Sequence, residues 1–149
     1  MSKTKVKPVP KGFGTVTASL TMSDAKATIA FLKKAFGAKT RALMESPDGK
    51  VMHSEIEIGD SLLMITDQMM EEPVRPASFF LYVEKVDKVF AKAVKAGAKV
   101  LMPVEDQFWG DRFGRVEDPF GNRFSIASRI EELSSKQLKK RMASLTPPA

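Results

Sequence analysis

Along residues 15–22 apolar and polar side chains alternate, with Val16, Ala18, Leu20 and Met22 on one side and Thr15, Thr17, Ser19 and Thr21 on the other. A period of two predicts a strand with one buried face. The period then lengthens: Ala25, Ile29, Leu32 and Phe36 fall on one helical stripe, which Ser23 or Asp24 is placed to cap and Gly37 to stop. Residues 39–45, 51–58 and 61–66 read as three more strands, separated by Pro47-Asp48-Gly49 and the tight turn Gly59-Asp60. The order is βαβββ.

Past an exposed Glu/Pro-rich linker at 71–76, the same order returns. Residues 78–83 alternate; Val86, Val89, Phe90, Ala93 and Val94 form a helical stripe that ends at Gly97; residues 99–104, 113–117 and 123–127 read as strands. Phe108 to Gly110 reads as a loop, and Asp118-Pro119-Phe120-Gly121 as a turn of purely structural meaning, since Pro fixes one dihedral and Gly permits a positive φ. Gly37-Ala38-Lys39 recurs as Gly97-Ala98-Lys99, and Leu20 as Leu81, so the halves share a period near 60 residues. A third helix follows with its own start signal. Ser134 and Gln137 can bond each other's amides, Leu133 can staple onto Leu138, and Leu138, Met142 and Leu145 form an apolar stripe before Pro147-Pro148. The expected organisation is a flexible tail at 1–12, modules at 13–70 and 77–130, and a C-terminal helix and tail at 131–149, together one structural domain of the α+β class.

Composition narrows the function classes. With 43% hydrophobic and 28% charged residues the chain matches an ordinary soluble globular protein, and no apolar run approaches the length that spans a bilayer. The start, through Lys11, has no apolar core and reads as a solvated tail rather than a signal peptide. The absence of cysteine removes disulfides, thiolate ligands and Cys nucleophiles together, and a cytoplasmic location is the default expectation. The net charge of +6 raises nucleic acid as a partner, but much of the excess sits in Lys3, Lys5, Lys7 and Lys11 and in Lys136, Lys139, Lys140 and Arg141, with no aromatic recognition motif beside it. No nucleic acid and no membrane partner is expected.

Two βαβββ modules with these segments, VMHSEIEIGDSLLMITD and FWGDRFGRVEDPFGNRFSIAS, resemble the vicinal oxygen chelate superfamily, and within it the PhnB-like glyoxalase/bleomycin resistance/dioxygenase subgroup; the trailing IEELSSKQLKKRM is similar too. The resemblance implies two modules forming a curved, cup-shaped mixed sheet. It hosts isomerases, dioxygenases, epimerases, thiol transferases and drug-binding proteins, so fold alone does not name an activity. In metal-dependent members four His or Glu ligands come from the first and last strands of each module. The corresponding positions here are Thr17 and Ser78, and Met64 and Ser125, each pair 61 residues apart. Hydroxyls and a thioether are weak ligands for zinc or nickel, so neither a metal nor another cofactor is expected. Arg129 stands where the subgroup often has a histidine, which removes another potential ligand.

Alternation also assigns side chains to the cup. With Ile56 and Ile58 turned to the helix, His53, Glu55 and Glu57 share the opposite face; with Phe79, Leu81 and Val83 buried, Ser78, Phe80 and Tyr82 face the cup. The expected lining is Thr15, Thr17, Ser19, His53, Glu55, Met64, Phe80, Tyr82, Arg123 and Ser125, suited to an organic ligand with some polar groups. His53, the only histidine, stands two residues from Glu55 and is the candidate acid–base pair; the plainer reading is a half-exposed sheet residue bonded to its neighbour. Trp109, the only tryptophan, with Arg112 nearby, suits stacking on a planar or anionic ligand, or else plugs the sheet end. The nine methionines read as core filler.

The leading expectation is therefore a metal-independent binding protein that sequesters or senses a small organic molecule, as the bleomycin-resistance members are thought to do. The alternatives are a glyoxalase-like lyase or isomerase using His53 and Glu55, and a scaffold that keeps only the fold. The apolar face of the last helix adds the expectation of a homodimer.

Overall fold

The computed structural model of the chain describes residues 5–69 and 73–145. The start of the expected tail, Met70, the start of the expected linker and the stop at Pro147-Pro148 lie outside the described residues.

The repeated order is realised element by element: β1 (Ala18–Met22), α1 (Ala25–Phe36), β2 (Lys39–Glu45), β3 (Val51–Ile58) and β4 (Ser61–Asp67), then β5 (Ser78–Tyr82), α2 (Val86–Lys95), β6 (Lys99–Asp106), β7 (Asp111–Glu117) and β8 (Arg123–Arg129), closed by α3 (Ser135–Leu145). The chain divides into two compact units. The first runs to Lys33 and resumes over Gly37–Arg75; the second takes residues 34–36 and starts again at Pro76. Each carries its own four-stranded mixed sheet, ordered β1-β4-β3-β2 and β5-β8-β7-β6, with the first strand parallel to the last and the other pairs antiparallel.

In the first unit the predicted helix signals act as read. Asp24 accepts the Ala27 amide at 3.0 Å, and Gly37 ends α1 at φ 67°, where its amide and that of Ala38 reach back to the carbonyls of Lys33 and Leu32. Ala25, Ile29 and Leu32 are buried, as are Met22, Val51, Ile56 and Ile65. The Asp67 carboxylate fastens three elements together, accepting the Ala25 amide at 2.8 Å and the Val51 amide at 2.7 Å. β2 is not regular: Thr40 pairs with Ile56 but Ala42 with Glu55, so Arg41 sits in a bulge.

In the second unit Val86, Phe90 and Ala93 are the buried stripe of α2, which packs against β6, β7 and β8. Ser128, 61 residues after Asp67, takes over the same fastening with a hydroxyl: it accepts the Val86 amide at 3.1 Å and donates to the Val83 carbonyl at 2.5 Å. Phe36 belongs to this unit, its ring 5.0 Å from that of Phe124. The capping box of α3 forms, with Ser134 and Gln137 exchanging bonds of 2.9 and 3.2 Å.

Four expectations are corrected. β1 begins at Ala18 rather than at 15, because its parallel pairing with β4 starts at Ala18↔Leu63; Val16, expected inward, is 89% exposed. β7 starts at Asp111, so the strand absorbs residues expected to precede it. Met44, Met52 and Met69 are exposed, and only Met22 is a fully buried methionine among the described residues. The stripe of α3 buries no side chain: Met142 and Leu145 are exposed and Leu138 is half-buried. Among the described residues no helix is long and apolar enough to cross a membrane.

Candidate ligand site

The first unit holds a chain of polar groups on the sheet face opposite Ile56, made by His53, Glu55 and Arg41. Successive residues of a strand point to opposite faces, so His53 and Glu55 share one. His53 Nε2 lies 3.3 Å from Glu55 Oε1, and the other carboxylate oxygen is 3.4 Å from Arg41 Nε. Arg41 reaches this face because the bulge releases it from the alternation of β2. Its guanidinium also donates to the Lys11 carbonyl at 2.5 Å and lies over the Phe13 ring at 5.2 Å. An open groove of about 450 Å³ lies here, lined by Arg41, Glu55 and Met64 from the strands and by Pro8, Val9, Pro10, Phe13, Gly14 and Thr15 from the N-terminal segment. It is an apolar volume with one guanidinium and one carboxylate at its side, the arrangement that orients an organic ligand.

Of the expected lining, Thr15, Glu55 and Met64 border this groove, His53 stands behind Glu55, and Thr17 is half-buried just ahead of β1. Pro8, Val9 and Pro10, expected within a flexible tail at 1–12, supply half of the remaining lining, with Phe13, Gly14 and Arg41 completing it. Arg41 was invisible to the pattern, since alternation alone cannot place a bulge.

In the second unit the face opposite α2 carries an aromatic cluster organised by Asp111. This carboxylate is fully buried and accepts the Tyr82 hydroxyl at 2.8 Å, the Trp109 indole at 2.9 Å and the Arg129 guanidinium at 3.3 Å. Arg129 also donates to the Tyr82 oxygen at 3.4 Å; that bond first, and Asp111 second, raise its pKa above the ordinary guanidinium value. Phe80 lies 4.9 Å from Tyr82 and 5.9 Å from Phe113, and Trp109 meets Phe113 edge-on at 5.6 Å. Phe80 and Tyr82 are exposed, Ser125 is buried and accepts Arg115 Nε at 3.1 Å, Arg123 pairs with Glu117 at 3.3 Å, and Ser78 is exposed.

Arg112 does not stand with Trp109. It follows Asp111 in the same strand and so points to the helix side, where it makes two bonds to Asp87, at 2.8 and 2.9 Å, and one to Asp106 at 2.9 Å. Those bonds, Asp87 first, raise the Arg112 pKa, and the Arg112 hydrogen bond lowers that of Asp87. The cations beside the aromatic cluster are Arg129, over the Tyr82 ring at 5.8 Å, and Arg115, over the Phe113 ring at 5.6 Å.

The model of the Glyoxalase/Bleomycin resistance protein/Dioxygenase superfamily matches residues 13–126. The chain belongs to this superfamily. An uncharacterized protein of Mycobacterium bovis is 34% identical over 136 residues, covering 84% of this chain and 90% of the relative. Among solved structures, TioX from Micromonospora sp. ML1 superposes with a TM-score of 0.66 at 20% identity, covering 78% of this chain and all of TioX. The PhnB protein of Bacillus cereus gives 0.64 at 17% identity, covering 77% of this chain and 99% of its own. These two likenesses concern the fold alone.

The superfamily's metal chemistry can be tested on the donors present. The four positions implied by the resemblance hold Thr17, Met64, Ser78 and Ser125, and among the described residues no three His, Asp or Glu side chains come together as a ligand group. Ser125 Oγ already accepts from the Arg115 guanidinium, and Met64 shares its groove with Arg41, so a cationic side chain stands beside one such position in each unit. These residues do not fit a zinc or nickel ion.

Proposed function

We propose that this superfamily member is a metal-independent binding protein for a small organic molecule, which it holds in the first unit against Arg41, Glu55 and Met64. The groove of about 450 Å³ carries this reading, because its size falls in the range of small-molecule sites and its lining is apolar with a few converging polar groups. The resemblance to drug-binding members supports the same class of function.

Titration of the full chain with 8-anilinonaphthalene-1-sulfonate, an aromatic anion, tests it. Expected is saturable one-to-one binding, with amide shifts at Arg41, Glu55 and Met64 in the NMR spectrum and roughly ten-fold weaker binding in Arg41→Ala, the effect of losing one charge-assisted contact. Saturable binding that ignores Arg41→Ala, or shifts confined to the second unit, would refute the site.

The enzymatic alternative has the 3.3 Å His53–Glu55 pair in its favour. Glu55 is, however, shared with Arg41, and no second acid or base is found with it among the groove-lining residues, so binding stands first.

A further inference from the structure

We propose that the Arg41 site is built for an aryl group joined to a carbonyl acceptor, and that residues 11–13 of the chain itself occupy it as an internal stand-in for that ligand. The proposal rests on the binding reading above and adds the ligand's chemistry and a competitor for it.

The stand-in is encoded locally. Phe13 N donates to the Pro10 carbonyl at 3.2 Å, closing a four-residue turn, and Gly12 takes φ +87° at its third position. That positive φ is the requirement of a type II turn, in which the central carbonyl, here that of Lys11, is turned away from the closing bond. It is therefore available as an acceptor, and Arg41 Nη2 takes it at 2.5 Å. Two residues on, the Phe13 ring has the same guanidinium over it at 5.2 Å, within the reach of a cation–π contact. One cation is thus used in two ways, by a carbonyl oxygen that accepts its N–H and by the face of an aromatic ring. A side chain at position 12 would intrude on this pairing: a Cβ there would sit 2.3 Å from Arg41 Nη1.

The occupant is held modestly. Arg41 is exposed and Phe13 only half-buried, while Val6 and Val9 are exposed on the same segment as Phe13. Segments with little buried apolar contact open at low cost. A ligand with the same two features has only to displace the turn, and its apparent affinity is reduced by the fraction of chains in which the turn is seated.

The probe is N-acetyl-Gly-Phe-amide, whose acetyl oxygen, glycine and ring reproduce Lys11, Gly12 and Phe13. Its binding to the full-length chain is followed by NMR titration in wild type, Phe13→Ala, Gly12→Val and Arg41→Ala. Phe13→Ala and Gly12→Val are each expected to bind it roughly two- to five-fold tighter, the equivalent of releasing one half-exposed cation–π contact. Arg41→Ala is expected to lose it. Equal or weaker binding in both turn variants overturns the proposal. If anilinonaphthalene sulfonate still depends on Arg41 while the turn variants change nothing, the stand-in falls and the groove reading survives. If neither probe depends on Arg41, both fall.

Discussion

Asp111 gathers donors from positions 82, 109 and 129, so one buried carboxylate joins three segments of the second unit. Truncation to alanine strands the Tyr82 hydroxyl and the Trp109 indole and leaves Arg129 only the Glu132 carboxylate at 3.9 Å. A buried polar network broken from one side loses the interaction and keeps the desolvation cost. Asp111→Ala is expected to destabilise the chain by about 3 kcal/mol in urea unfolding, and Asp111→Asn by less because it retains an acceptor; an unchanged midpoint for the alanine variant would contradict the assignment. None of this hub was legible beforehand. His53 and Glu55 were, because two residues apart on a strand means the same face, whereas Tyr82 and Asp111 meet only through the parallel pairing of β5 with β8 and the antiparallel pairing of β8 with β7. Arg129 drew notice only as a missing histidine; its partners needed the register.

At the scale of elements, helix ends were the most readable features, since Asp24, Gly37 and the Ser134–Gln137 pair act through bonds within four residues of themselves. Strand interiors were readable as well. What escaped was everything that breaks a period: the bulge that turns Arg41 outward, the late start of β1, and the N-terminal turn, whose Pro-rich composition looks like a tail until Arg41 is in place. Packing of helix on sheet gives a prediction of its own. Gly114 in β7 has no side chain because α2 leaves it no space; a Cβ would lie 2.6 Å from the Phe90 ring and 2.9 Å from Val104. Gly114→Ala is expected to cost about 1–3 kcal/mol by overpacking, read as a lowered Tm. A variant as stable as the wild type would mean that Phe90 swings aside freely.

For the whole molecule, the duplication kept the architecture and let the chemistry drift. The tie made by a carboxylate at Asp67 is made by a hydroxyl at Ser128, and the polar chain around Glu55 in one unit is answered by an aromatic cluster around Asp111 in the other. The homodimer expected from the sequence stays a proposal, supported by the exposed Met142 and Leu145 of α3. Light scattering at micromolar concentration should give about twice the 16.4 kDa chain mass, and Met142→Glu with Leu145→Glu should halve it; a native chain of single mass ends that proposal. The drift between the halves has a practical side. The one histidine, His53, belongs to the first unit and the one tryptophan, Trp109, to the second. Each copy of the repeat therefore carries its own natural reporter, an imidazole proton resonance in one and indole emission in the other, and the melting of two units of the same strand order in one chain can be followed separately with no label attached.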